Sequence, residues 1–77
     1  MEIQIFIKTV DNQKFPFLVN THITVLELKQ RLQYETGINH RGIRLIFQGY
    51  PMSNNKILIS FNGLKDNSVI HLIKQME

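Results

Sequence analysis

The chain has 77 residues, 43% of them hydrophobic, and no cysteine. That length holds one domain, expected over residues 1–77, and the lack of cysteine excludes disulfides and thiolate metal sites. No apolar run approaches the ~20 residues a membrane span needs, and nine Lys and Arg against six Asp and Glu leave a charge of +3 spread along the chain.

Residues 3–9 (IQIFIKT) alternate, with Ile3, Ile5 and Ile7 on one face and Gln4, Phe6 and Lys8 on the other. Period two with β-branched residues predicts a strand rather than a signal peptide. Asp11, Asn12 and Gln13 break the pattern, and Asn12 suits the positive φ of a tight turn. Phe15, Phe17 and Val19 resume the alternation, so residues 14–19 return as a second strand. Pro16 donates no ladder hydrogen bond, which places that strand at a sheet edge.

Thr24 followed by Glu27 matches a capping box. Val25, Leu28 and Leu32 then recur at helical spacing, and Gly37 stands where a left-handed residue closes a helix. A helix over residues 25–36 is expected, lying across the apolar face of the hairpin. Residues 43–47 (IRLIF) form a third strand and Tyr50-Pro51-Met52 a short extended piece. Residues 53–56 are a turn, 57–61 a brief apolar stretch, and 68–74 (SVIHLIK) a closing strand. One sheet covered on one face by one helix, an α+β arrangement, is the economical packing.

The uncovered face should be polar, yet the last strand offers His71 and Ile73 there and the third offers Arg44 and Ile46. If those strands are neighbours, Ile46, Ile73 and Val10 form one exposed apolar patch rimmed by Arg44, His71 and Lys8. A contiguous apolar set with a basic rim reads as a binding surface. Catalysis finds little support. No nucleophile, base and orienting group are suggested together, and His22, His40 and His71 lack metal-ligand spacing. The four glycines stand singly, without a phosphate-binding loop, and no aromatic–basic interleaving supports base stacking. No catalytic residue, cofactor, metal, nucleic acid or membrane partner is expected.

Residues 3–9, Thr36-Gly37-Ile38, Arg44-Leu45-Ile46-Phe47 with Gly49, and residues 68–73 together resemble ubiquitin, in order and at its spacing. One extra residue falls between about 54 and 58, and the likeness runs over residues 3–76. It implies the β-grasp fold: a mixed sheet, first and last strands parallel at its centre, one helix packed across one face. It also implies a recognition patch at Val10, Ile46, His71 and Ile73, with Arg44 and Gly49 beside it.

The departures from ubiquitin point to a non-conjugating relative. The chain ends Lys74-Gln75-Met76-Glu77 without a diglycine, so no conjugation chemistry is expected of it as given. Tyr50 and Asp66 stand where ubiquitin has its two best-known chain-building lysines, and Lys29, expected to be part-buried on the helix, is one of two lysines that match. Residues 8–13 and 68–74 resemble most the N-terminal ubiquitin-like domains of ubiquilin- and Scythe-type proteins, while Phe15-Pro16-Phe17 is also similar to the ligase parkin. The resemblance implies a monomeric, non-catalytic interaction domain of a larger protein, in cytoplasm or nucleus. Its partners would be ubiquitin-interacting helices, ubiquitin-binding domains or proteasome receptor subunits. The alternative is a conjugated modifier whose diglycine lies beyond Glu77.

Overall fold

In the computed structural model, which describes residues 1–74, strand β1 (Glu2–Lys8) buries Ile3, Ile5 and Ile7. Gln4, Phe6 and Lys8 face the other way, as side chains two apart along a strand must share a face. In the turn after it, Thr9 N–H donates to the Gln13 carbonyl at 2.8 Å and Asn12 takes a φ of 67°. Asparagine tolerates that left-handed conformation better than most residues. Strand β2 (Lys14–Asn20) returns antiparallel, setting Val19 opposite Ile3 and Phe17 opposite Ile5. It is an outermost strand of the sheet, as Pro16 requires.

Helix α1 (Val25–Thr36) has the expected bounds and both expected caps. Thr24 Oγ1 accepts from the Glu27 N–H at 3.1 Å, and Glu27 Oε1 accepts from the Thr24 N–H at 3.2 Å. Gly37, at φ 77°, donates its N–H to the Gln33 carbonyl. Val25, Leu28 and Leu32 are wholly buried against the sheet. A second cap has no signature in the helix itself. The Val25 and Leu26 amides donate to the carbonyls of Lys56 and Asn54, so the loop after the sheet's edge closes the helix start.

Strands β3 (Ile43–Phe47), β4 (Tyr50–Pro51) and β5 (Ser68–Lys74) complete a sheet of order β2-β1-β5-β3-β4. β5 runs parallel to β1, with Ile70 opposite Ile7, and antiparallel to β3, with Leu72 opposite Leu45. The parallel pair is fastened at its entry: Asp66 Oδ1 accepts from the Gln4 N–H at 2.7 Å, and the Asn67 N–H donates to the Gln4 carbonyl at 2.6 Å. Gln48 (φ 53°) and Gly49 (φ 84°) join β3 to β4, both left-handed as a two-residue hairpin of this twist demands. The apolar stretch 57–61 holds a short 3-10 turn, Leu58–Ser60, that sends Leu58 into the core and leaves Ile59 outside. The mixed sheet crossed by one helix is the β-grasp arrangement that the sequence led us to expect. The expected glycine-free tail, residues 75–77, lies outside the described residues.

Candidate functional site

The face of the sheet away from the helix carries the candidate site. Cross-strand pairing lines up Lys8, His71, Ile46 and Pro51 from β1, β5, β3 and β4 in one transverse row. The next pair along is Arg44 opposite Ile73. Paired residues stand close enough for their side chains to touch, so the condition set by the sequence, that β3 and β5 be neighbours, is met.

Between them lies a shallow hollow of about 200 Å³, lined by Lys8, Thr9, Val10, Ile46, His71, Leu72 and Ile73. Val10 projects from the β1–β2 turn and is 79% exposed, Ile73 is 36% exposed, and Ile46 is half-buried. Four of the six residues singled out in the sequence, Val10, Ile46, His71 and Ile73, therefore share one concavity. Arg44 and Gly49 do not line it. Arg44 lies across the ladder from Ile73, and Gly49 sits in the β3–β4 turn, where an added Cβ would meet nothing within 4 Å. The demand on Gly49 is its φ of 84°, not space.

Two features had no clear signal in the sequence. The same face continues into a second apolar row, Pro16–Phe6–Val69, across β2, β1 and β5. The Lys14 ammonium lies over the Phe6 ring, 4.7 Å from its centroid, and shades part of this row. Alternation had put Phe6 and Val69 on this face, but only the pairing sets them side by side. The second feature is polar and lies at the sheet's edge. Arg44 contributes there, with Lys29 of α1 and Arg41, to a hollow of about 420 Å³. Lys29 Nζ donates to Asn54 Oδ1 at 2.7 Å. Burial, and then the Arg44 charge, hold the Lys29 ammonium below the usual lysine range. Among the described residues no group of three or more His, Asp or Glu is placed to hold a metal.

A profile of the ubiquitin family matches residues 5–77. The chain belongs to the ubiquitin family. Its fold is that of the ubiquitin-like domain of Plasmodium falciparum Dsk2, with a TM-score of 0.88 and 27% identity over 97% of this chain and all of that one. Among curated relatives, it is 36% identical over 72 residues to the large proline-rich protein bag6 of Xenopus tropicalis. That match takes in 94% of this chain but 6% of the relative. It is also 35% identical over 63 residues to the BAG family molecular chaperone regulator 1A of Schizosaccharomyces pombe, covering 82% of this chain and 32% of the relative. The chain thus spans a small fraction of the curated relatives it matches. The resemblance to ubiquitin-like domains of the ubiquilin and Scythe type is borne out, and ubiquitin-family membership makes the open face of the sheet the surface to explain.

Proposed function

We propose that this chain is a non-catalytic ubiquitin-like interaction module of a larger protein, which docks partners on the open face of its sheet. The observation that carries this reading is the hollow lined by Val10, Ile46 and Ile73 together with Lys8 and His71. A half-covered sheet has no structural need for aliphatic residues at these outward positions, and exposing them costs solubility unless a partner covers them. The partners that fit are short amphipathic helices of the ubiquitin-interacting kind, ubiquitin-binding domains, or proteasome receptor subunits. Each would set apolar side chains over Ile46 and Ile73. The similarity to a relative named as a chaperone regulator supports a place in protein quality control, and with it we place the module in the degradation pathway of the cytoplasm or nucleus.

The test is a titration of the isotopically labelled chain with a ubiquitin-interacting helix and with a proteasome receptor fragment, read by backbone amide shifts. The expected result is perturbation concentrated on Lys8, Val10, Ile46, His71 and Ile73. Binding that leaves these amides unmoved, or no binding of any of these partners at millimolar concentration, overturns the reading.

A further inference from the structure

The edge hollow shared by α1, β3 and the loop after β4 is built differently from the sheet face. Its lining comprises Lys29, Arg41 and Arg44 as the charged groups, with the buried Ile43 and Met52 and the polar Ser53 and Asn54. None of Glu2, Asp11, Glu27, Glu35 or Asp66 lines it. Three cations of one sign thus converge on one concavity without a carboxylate among the described residues.

Like charges brought together need a reason, because each raises the cost of the next. Lys29 shows the cost most clearly. It is half-buried on the helix, and the partner its ammonium has found is the neutral amide oxygen of Asn54, 2.7 Å away. A neutral oxygen satisfies one donor but cancels no charge. Two cations elsewhere on the surface are settled individually. Lys14 lies over Phe6, and the Arg31 guanidinium donates to the Leu18 carbonyl at 3.1 Å and packs near the Phe17 ring. At the edge hollow the charge is instead left concentrated and concave.

We propose that this hollow is a recognition site for an acidic peptide segment, whose clustered carboxylates enter between Lys29, Arg41 and Arg44. Arginine forks match carboxylates in a bidentate manner, and the half-buried Lys29 supplies a point charge in a partly desolvated setting. A volume of about 420 Å³ admits one or two carboxylate side chains with water. The lining holds no aromatic residue on which a base could stack, which favours a peptide over a single-stranded nucleic acid. The site does not rest on the apolar patch, since its lining shares no residue with the sheet-face hollow. Arg44, opposite Ile73, merely lies between the two.

The experiment uses an acetylated hexaglutamate peptide, which has no apolar side chain, titrated into the labelled chain at low salt. The expected result is saturable amide shifts centred on Lys29, Arg41, Arg44, Ser53 and Asn54. Arg41→Gln, an exposed change, should weaken binding by about fivefold, the upper range for a surface ion pair, while Lys65→Gln on the far turn leaves it unchanged. Equal losses from Arg41→Gln and Lys65→Gln, or shifts scattered over every basic residue, reduce the effect to general charge attraction and overturn the site. So does tighter binding at the same amides by a ten-residue deoxythymidine oligomer than by the peptide, because that assigns the hollow to nucleic acid. Absence of any shift at millimolar peptide overturns it as well.

Discussion

On the helix side of the sheet, Leu45 of β3 and Leu72 of β5 face each other beneath α1 and are closed to water. On the other side, one residue along each strand, Ile46 stands beside His71 and Ile73 beside Arg44, all of them reached by solvent. Both sides carry aliphatic side chains, although only the bare side sets them beside His71 and Arg44. What differs is whether a helix lies above them. An aliphatic side chain under the helix is spent on the fold, whereas one on the bare side remains available to a partner, so composition alone cannot separate core from docking surface.

The largest expected effect probes the covered side. Leu45→Ala removes a wholly buried side chain from between α1 and the sheet and should cost about 2–5 kcal/mol. In a domain of this size that is a large part of total stability, and urea denaturation will show either a much lower midpoint or no folded baseline. If the variant folds as stably as the parent, the two sides are wrongly distinguished.

Ile46→Ala tests the bare side. It should cost about 0.5 kcal/mol in stability, as for most surface changes. It should weaken a docked helix by about 2 kcal/mol, on the order of thirtyfold. Calorimetric titration of the folded variant measures the second number. Unaltered affinity with unaltered stability would leave the bare side without a role.

Thr24→Ala sharpens the comparison by disturbing the covering helix without touching the sheet. Loss of the hydroxyl that accepts from Glu27 N–H should cost about 1 kcal/mol, the usual size of an N-cap. Amide exchange should rise at Glu27 more than at Val25 and Leu26, whose N–H groups donate to the loop carbonyls of Lys56 and Asn54. Uniform exchange over all three would deny the loop its capping role.

The smallest effect is electrostatic. Burial and Arg44 lower the pKa of Lys29 in the folded chain below 10.5, so the unfolded chain holds the proton more tightly there. Stability therefore rises with pH between the lowered native value and 10.5, as the penalty of the charged form is relieved. Comparing the parent with Lys29→Gln by urea denaturation at several pH values up to 10.5 isolates this term. The difference should shift in favour of the parent as pH rises, and a flat difference would show that the Lys29 charge carries no penalty.

Much of the fold is legible in the residues themselves. The alternation through Ile3, Ile5 and Ile7, the Thr24–Glu27 box, the Gly37 cap and the edge position of Pro16 all follow from local rules, and the structure has each of them. The patch is legible as far as facing: parity puts Ile46 and Ile73 on the outward side. Their adjacency, the inclusion of Thr9, the Pro16–Phe6–Val69 row and the basic hollow are not.

Local order along the chain settles which side of each strand and of the helix is apolar, because side-chain direction follows from a backbone period of two or 3.6 residues. It also determined where elements stop, because capping and left-handed turns depend on residues within a few positions of one another. Which strands lie together is set by the packing of the whole chain. The parallel pairing of β1 with β5 joins the two ends of the chain, and it is this pairing that sets Lys8 beside His71. Likewise α1, β3 and the loop after β4 bring Lys29, Arg44 and Asn54 to one edge. Contacts between segments so distant in the chain are selected by packing of the whole core, a nonlocal sum that no short window of residues contains.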